Sequence, residues 1–236
     1  MNGLFITATD TEVGKTVITA GLTMAMRKEG VDVGVMKPFA TGAMKNEIGL
    51  YSADARFIAR ATGLEMEDAD TNPSLFQPPL APLAAAESEG AEIDLEPVRE
   101  AFDRLKSQHD FLLVEGIGGL RVPIKDDFYV LDLIAEFAFP ALVVSRAGLG
   151  TINHTLLTLD ALKSRGIPLT GVVLNASNEE MDISNRTNAD MIERCSGEKV
   201  LLQVPFLKDV NVEDGITTGL APFEGFASLA RHLMGI

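Results

Sequence analysis

The chain has little with which to do thiol, imidazole or membrane chemistry. Its 236 residues include one cysteine, Cys195, and three histidines, at 109, 154 and 232. A single cysteine makes no internal disulfide, which fits a reducing compartment. It precedes Ser196 and Gly197 at an expected helix end, and with so few histidines no metal-binding or nucleophile constellation surrounds it. No stretch approaches the ~20 apolar residues that a membrane-crossing helix needs. Met1 leads straight into a short apolar run, without the basic region of a secretion signal. Positive charge is also scarce: 20 Lys and Arg stand against 34 Asp and Glu, a formal net charge of −14. A nucleic-acid duplex or an anionic membrane would repel such a chain, so no nucleic-acid and no membrane partner is expected. Anionic small molecules are not excluded, because a few placed amides and lysines bind phosphate locally. With 46% hydrophobic and 23% charged residues, a compact soluble protein is expected, cytoplasmic and built as one domain over 1–236.

What is there is a repeated pattern: a short apolar, β-branched run, a glycine-bearing loop, then a helical stretch. Gly3 to Thr7 reads as a strand, and Val17, Ile18, Leu22 and Ala25 then recur at helical spacing until Gly30. Further strands are expected at Val33 to Met36, Phe111 to Val114, Ala141 to Val144, Gly171 to Leu174 and Val200 to Val204. The runs are continuously apolar rather than alternating, as in parallel strands covered on both faces. Helical patterns at Val98 to Lys106, Ile152 to Lys163 and Phe226 to Leu233 separate them. An α/β fold follows, with a mostly parallel central sheet and helices on both faces. Residues 66 to 97 hold most of the prolines and many acids, and read as a long surface connection with a short helix at Leu83 to Glu89.

On such sheets ligands bind at the carboxyl ends of the strands, and the unusual residues fall there. Thr7 to Thr16 (TATDTEVGKT) leaves a strand and enters a helix, the context of a phosphate-binding loop. Backbone N–H groups would face the phosphates, Lys15 adds a charge, and the Thr16 hydroxyl can ligate Mg²⁺. Ala8 stands at the usual leading glycine, with five residues before Gly14. Phe111 to Val114 runs into Glu115, Gly116, Ile117, Gly118 and Gly119. An acid there can hold Mg²⁺ directly or through water, and the glycines admit a ligand close to the backbone. Lys37 ends the second strand and offers a second cation for a phosphoryl group, although taken alone it reads rather as a solvated lysine after a strand. Asp54, in Ser52-Ala53-Asp54-Ala55, is either a further metal contact or a helix-start residue favoured by the dipole.

Together these segments resemble the dethiobiotin synthetases, ATP-dependent ring-closing enzymes with a P-loop NTPase-like fold. The matching elements are TDTEVGKT (9–16), KPFATG (37–42), SADA (52–55), NPSLFQPPLAPLAAAESEG (72–90), VEGIGG (114–119) and GTINHTLLT (150–158). Ala8 replaces a common glycine and Thr41 a common serine. The resemblance implies ring closure of 7,8-diaminononanoate with CO₂ or bicarbonate, ATP as co-substrate and Mg²⁺ as cofactor. It makes Glu12, Val13, Gly14, Lys15, Thr16 and Val17 the phosphate cradle. Lys15 and Lys37 are then catalytic and neutralise the γ-phosphoryl oxygens, with Lys37 also facing a carbamate. Thr16, Asp54 and Glu115 surround the metal, and Gly116, Ile117 and Gly118 add nucleotide contacts. Asn175 is the adenine-reading residue, and Pro205, Phe206 and Leu207 close over the base. Thr11, Lys37, Thr41 and Gly118 contact the diamine. The turn Gly150, Thr151, Ile152 and Asn153 holds its carboxylate tail from the neighbouring subunit, so a homodimer with shared sites is implied.

Two other readings fit the residues less well. An amidotransferase-type synthetase of the same fold needs a glutaminase domain with a nucleophilic cysteine, for which the chain has only Cys195. A partitioning or membrane-associated ATPase switch typically carries a second lysine near the loop's start, where this chain has Ala8 to Thr11.

Overall fold

The computed structural model describes residues 2–47, 49–66, 69–179 and 183–236. In chain order the elements are β1 (Gly3–Ala8), α1 (Lys15–Lys28), β2 (Val33–Met36), β3 (Phe39–Thr41), β4 (Met44–Lys45), β5 (Leu50–Tyr51) and α2 (Ala53–Thr62). Then come β6 (Ser74–Phe76), α3 (Pro82–Ser88), α4 (Glu96–Gln108), β7 (Phe111–Glu115), β8 (Pro123–Lys125), β9 (Phe128–Tyr129) and α5 (Val130–Phe137). The chain continues through β10 (Ala141–Arg146), α6 (Thr151–Ser164), β11 (Leu169–Asn175), α7 (Ile183–Ser196), β12 (Val200–Val204) and α8 (Gly225–Met234).

The six long strands form one parallel sheet in the order β12-β11-β10-β1-β7-β2. Successive residues of each strand feed opposite cores. Phe5, Leu112, Val114, Val143 and Leu174 pack with α4, α5 and α6 on one face. Leu4, Ile6, Leu113, Val144 and Val173 pack with α1, α2 and α8 on the other. Because both faces are covered, the strands carry no polar alternation, and their positions agree with the apolar runs of the sequence. β1 continues through α1 on one face, and β10 through α6 on the opposite face. The two neighbouring strands therefore diverge at their carboxyl ends and leave a crevice there, the switch point where ligands enter open α/β sheets.

One expectation is corrected. The stretch 66–97 is not simply a surface connection: among its described residues, β6 pairs in parallel with β3 and Phe76 is buried. The expected helix is there as α3, and it buries Ala85 and Ala86 in the main core. Three residues of strand between prolines are too short to show a period. The hairpin β8–β9 and the helix α5 were likewise not anticipated.

Gly21 sits inside α1, where glycine is costly. A Cβ there would lie 2.5 Å from the Phe226 ring of α8, so the glycine is what lets the two helices touch. Gly21→Ala is therefore expected to lower stability by ~1–2 kcal/mol through overpacking, measured by urea denaturation. A gain of stability, as at an unhindered helical glycine, would contradict this packing.

Candidate active site

The loop after β1 is shaped by two positive backbone angles. Glu12 has φ +56° and Gly14, the residue preceding α1, has φ +98°. At Gly14 a Cβ would also lie 2.2 Å from the Asn175 side-chain nitrogen, so glycine is required by conformation and by space. Helix α1 then begins with no capping side chain and no acid in its first turn. Its first N–H groups and the positive end of its dipole are left for an anion. The Lys15 ammonium donates to the carbonyls of Asp10 and Gly118, each at 3.1 Å. The Asn175 amide donates to the Val13 carbonyl at 3.0 Å and so clamps the loop from β11.

Beside the loop lies a buried ion cluster. The register that pairs Met36 with Val114 brings Lys37 and Glu115, the next residues, out side by side. The Lys37 ammonium lies 2.7 Å from Glu115 Oε1 and 2.7 Å from Asp54 Oδ2. Ser52 caps α2 by accepting from the Ala55 N–H at 3.3 Å, which sets Asp54 in the first turn. The side-chain exposure of Lys37 is 3%, of Glu115 0% and of Asp54 36%. The Thr16 hydroxyl donates to Glu115 Oε1 at 2.8 Å. The backbone of Lys37 is held by Thr71, whose carbonyl accepts its N–H, and by Asn72, whose amide donates to its carbonyl, each at 2.7 Å.

Glu115 Oε2 is buried without a hydrogen-bond partner, an expensive arrangement for a carboxylate oxygen. Its free lone pairs, with Thr16 and Asp54 beside it, form an all-oxygen donor set suited to a hard divalent cation. Among the described residues no group of three or more His, Cys, Asp or Glu could hold a metal. A cation here would draw two carboxylates and a hydroxyl from the protein and take its other ligands from water and a phosphate, as Mg²⁺ commonly does.

The two lysines differ sharply. Burial and then the nearby Lys37 charge lower Lys15 from 10.5 to about 8, against the pull of Glu115, Asp54 and Asp10. Burial pushes Lys37 down too, but Asp54 and Glu115 together outweigh it and hold its pKa above the ordinary value. Burial raises Asp54, and the Lys37 and Lys15 charges with the Thr16 hydroxyl outweigh that, leaving its carboxyl below the usual range.

A cavity of about 960 Å³ opens over these groups. Thr11, Glu12, Gly14, Lys15, Thr16 and Val17 line it at the phosphate loop, and Lys37, Asp54, Glu115, Ile117 and Gly118 at the ion cluster. Thr41 lines one end, and Asn175, Phe206 and Leu207 the other. Val13 and Gly116 are not in the lining: Val13 is core, and a Cβ on Gly116 would lie 2.9 Å from the Phe5 ring, so both support the site from below. Pro205 is outside the lining as well. So are Gly150, Thr151, Ile152 and Asn153, at the start of α6. Sequence reasoning missed Pro79, Leu80 and Ala81 beside Thr41, and Val210, Val212 and Glu213 near Phe206. The first three lie within the family-like segment 72–90; the others stand in irregular chain with no pattern to mark them.

A parallel sheet with a phosphate-type loop after its first strand and two carboxylates beside it defines a P-loop nucleotide-binding fold. The solved structures agree on the fold: the MinC:MinD cell division protein complex of Aquifex aeolicus (TM-score 0.61, 18% identity, covering 100% of this chain and 97% of that one), and a ParA family ATPase from Chlorobium tepidum (TM-score 0.59, 16% identity, 100% and 99%). A family model described as an AAA domain matches residues 2–214. Similarity in sequence is more particular. ATP-dependent dethiobiotin synthetase BioD of Bacillus licheniformis is 39% identical over 211 residues, 89% of this chain and 88% of the relative. The enzymes of the same name from Anaeromyxobacter dehalogenans and Aquifex aeolicus are 42% and 40% identical, over 89% and 93% of this chain and 92% and 96% of theirs. The chain belongs to the dethiobiotin synthetase family.

The different surroundings of the lysines give a direct expectation. In an NMR titration of labelled lysine side chains, Lys15 loses its proton near pH 8 rather than 10.5, while Lys37 keeps its proton beyond the point where exposed lysines lose theirs. The unfolded chain then holds more protons than the folded one between about 8 and 10.5, so this group makes stability rise with pH across that window. A Lys15 midpoint at the exposed value would contradict the buried geometry.

Proposed function

We propose that this chain is an ATP- and Mg²⁺-dependent cyclo-ligase that makes dethiobiotin from 7,8-diaminononanoate and CO₂, releasing ADP and phosphate. The carrying observation is the convergence of Lys15, Lys37, Thr16, Asp54 and Glu115 at one carboxyl edge of the sheet, in a chain of this family. The whole of 1–236 acts as a single synthetase domain. No described helix is long and apolar enough to cross a membrane, and the reading places the enzyme in the cytoplasm.

In this reading CO₂ adds to one amine of the diamine and gives a carbamate. A carbamate oxygen attacks the γ-phosphorus of ATP, ADP leaves, and a carbamic–phosphoric anhydride forms. The second amine attacks its carbonyl carbon, closes the ring and expels phosphate. No protein nucleophile is needed; the protein positions the reactants and stabilises charge. The loop from Glu12 to Val17 binds the phosphates through backbone N–H groups, while Gly116 shapes the chain that presents Ile117 and Gly118 to the nucleotide. Lys15 swaps its two carbonyl partners for phosphoryl oxygens, which also restores its proton at alkaline pH. Lys37 emerges between phosphate and carbamate, with its charge kept by its two carboxylates. Thr16, Asp54 and Glu115 would hold Mg²⁺, whose bound form neutralises phosphate charge.

Asn175 has one amide hydrogen on Val13 and its remaining polar atoms for adenine, with Pro205, Phe206 and Leu207 around the base. Thr11, Thr41 and Gly118 contact the diamine. The turn from Gly150 to Asn153 serves a neighbouring chain in a homodimer. Supporting this, that turn lies off its own cavity, and Leu149 and Leu157 beside it are 84% and 62% exposed.

Purified protein with MgATP and bicarbonate should release ADP only when 7,8-diaminononanoate is present, with a product of the mass of dethiobiotin. Lys37→Ala should lower that turnover by at least ~10², the usual scale for one preorganised charge. Hydrolysis indifferent to the diamine would overturn the reading in favour of an ATPase switch.

A further inference from the structure

Behind the phosphate loop, on the β10 side, is a cluster of hydroxyls centred on Ser145, to which the proposed chemistry assigns no part. Ser145, next to last in β10, is fully buried, as are Thr151 and Thr155 in the first turns of α6. The Ser145 hydroxyl lies 2.9 Å from that of Thr151, 2.8 Å from that of Thr155 and 3.2 Å from that of Thr9. A hydroxyl has one hydrogen to donate and two lone pairs, so three neighbours saturate Ser145. Thr9 begins the phosphate loop, and its N–H also bonds the Val144 carbonyl at 3.1 Å. One residue further along, Arg146 pairs with Asp10 of the same loop at 3.2 Å.

The turn that follows is fixed from the other side as well. Buried Asn188 of α7 donates to the Ala147 carbonyl at 2.7 Å, and the Ala147 N–H bonds the Asn175 carbonyl at 2.9 Å. Residues 147–153 are thus tied to the phosphate loop through Ser145 and to the Asn175 strand end through Ala147. Parting Thr9 from Thr151 would strip hydrogen bonds in dry surroundings, where unmade bonds are costly. These bonds join the loop and the turn, yet the turn is not part of the lining of its own chain's cavity.

We propose that Ser145 is a positioning residue that locks the 147–153 turn to the phosphate loop of its own chain and, through that turn, sets how the neighbouring chain binds the diamine. The proposal rests on the synthetase and homodimer reading above. Ser145→Ala should raise the KM for the diamine ~10-fold, the scale of one lost buried hydrogen bond, with kcat and the KM for MgATP little changed. Thr155→Val, which keeps shape but removes the hydroxyl, should do the same, and Thr155→Ser should restore the wild-type KM. A general loosening of the fold would instead lower kcat and the melting temperature without this split.

Mixed dimers locate the effect. When Ser145→Ala chains are paired with Lys37→Ala chains, the competent site combines the intact Lys37 of the first with the intact turn of the second. Its diamine KM should be that of the wild type. A KM that stays raised in the mixed dimer, or is unchanged in the Ser145→Ala homodimer, would overturn the proposal. A protein that turns over the diamine but sediments as a monomer would overturn it while leaving the activity standing. Absence of diamine-dependent turnover in the wild type would remove the synthetase reading and the proposal together.

Discussion

A lysine buried between two carboxylates is the constraint on which the rest of the structure depends. Lys37 and Glu115 are withdrawn from water almost completely, and either charge alone at such depth costs several kcal/mol. They are tolerable only together, with Asp54 sharing the ammonium and the Thr16 hydroxyl on the same Glu115 oxygen. That requirement fixes geometry well beyond the four residues. β2 must pair with β7 in one register, α1 must begin against the end of β7, and α2 must start where its first turn reaches Lys37. The chemistry proposed for the site uses the same groups, so the fold and the activity share one electrostatic arrangement.

The two lysines show how environment divides the labour. Lys37 is paired directly with two carboxylates and stays protonated; Lys15 hydrogen-bonds only carbonyls, and burial and the like charge of Lys37 outweigh the pull of Glu115, Asp54 and Asp10, so its proton is held weakly. A lysine of the second kind gains most when phosphate arrives, because an anion supplies the partner that the protein withholds. The crevice where β1 and β10 diverge puts this lysine, the uncapped start of α1 and the end of β10 within one small volume. Thr9, Ser145 and Arg146 stitch the two strand ends together there.

Most of this was legible in the chain. The six long strands announced themselves because burial on both faces makes them continuously apolar, and the phosphate loop because Gly14-Lys15-Thr16 stands between a strand and a helix. Lys37 and Asp54 were ambiguous as single residues, since a lysine after a strand or an acid at a helix start is ordinary. Only the register of β2 on β7 shows that they meet. What the chain concealed has short or irregular local signals: β6 between prolines, the β8–β9 hairpin, and Val210, Val212 and Glu213, which line the cavity with Phe206. For Gly150 to Asn153 no pattern within one chain says whether a turn lines its own cavity, and only the resemblance assigned that turn elsewhere; the lining of this chain's cavity does not include it.

The account is tested most directly by a double-mutant cycle on stability with Lys37→Met, Glu115→Gln and the pair together, followed by urea denaturation. Removing one partner strands the other charge, whereas removing both does not, so the account predicts a coupling of about 2 kcal/mol or more. Losses that add to within ~0.5 kcal/mol would contradict it, because the two groups would then not depend on each other.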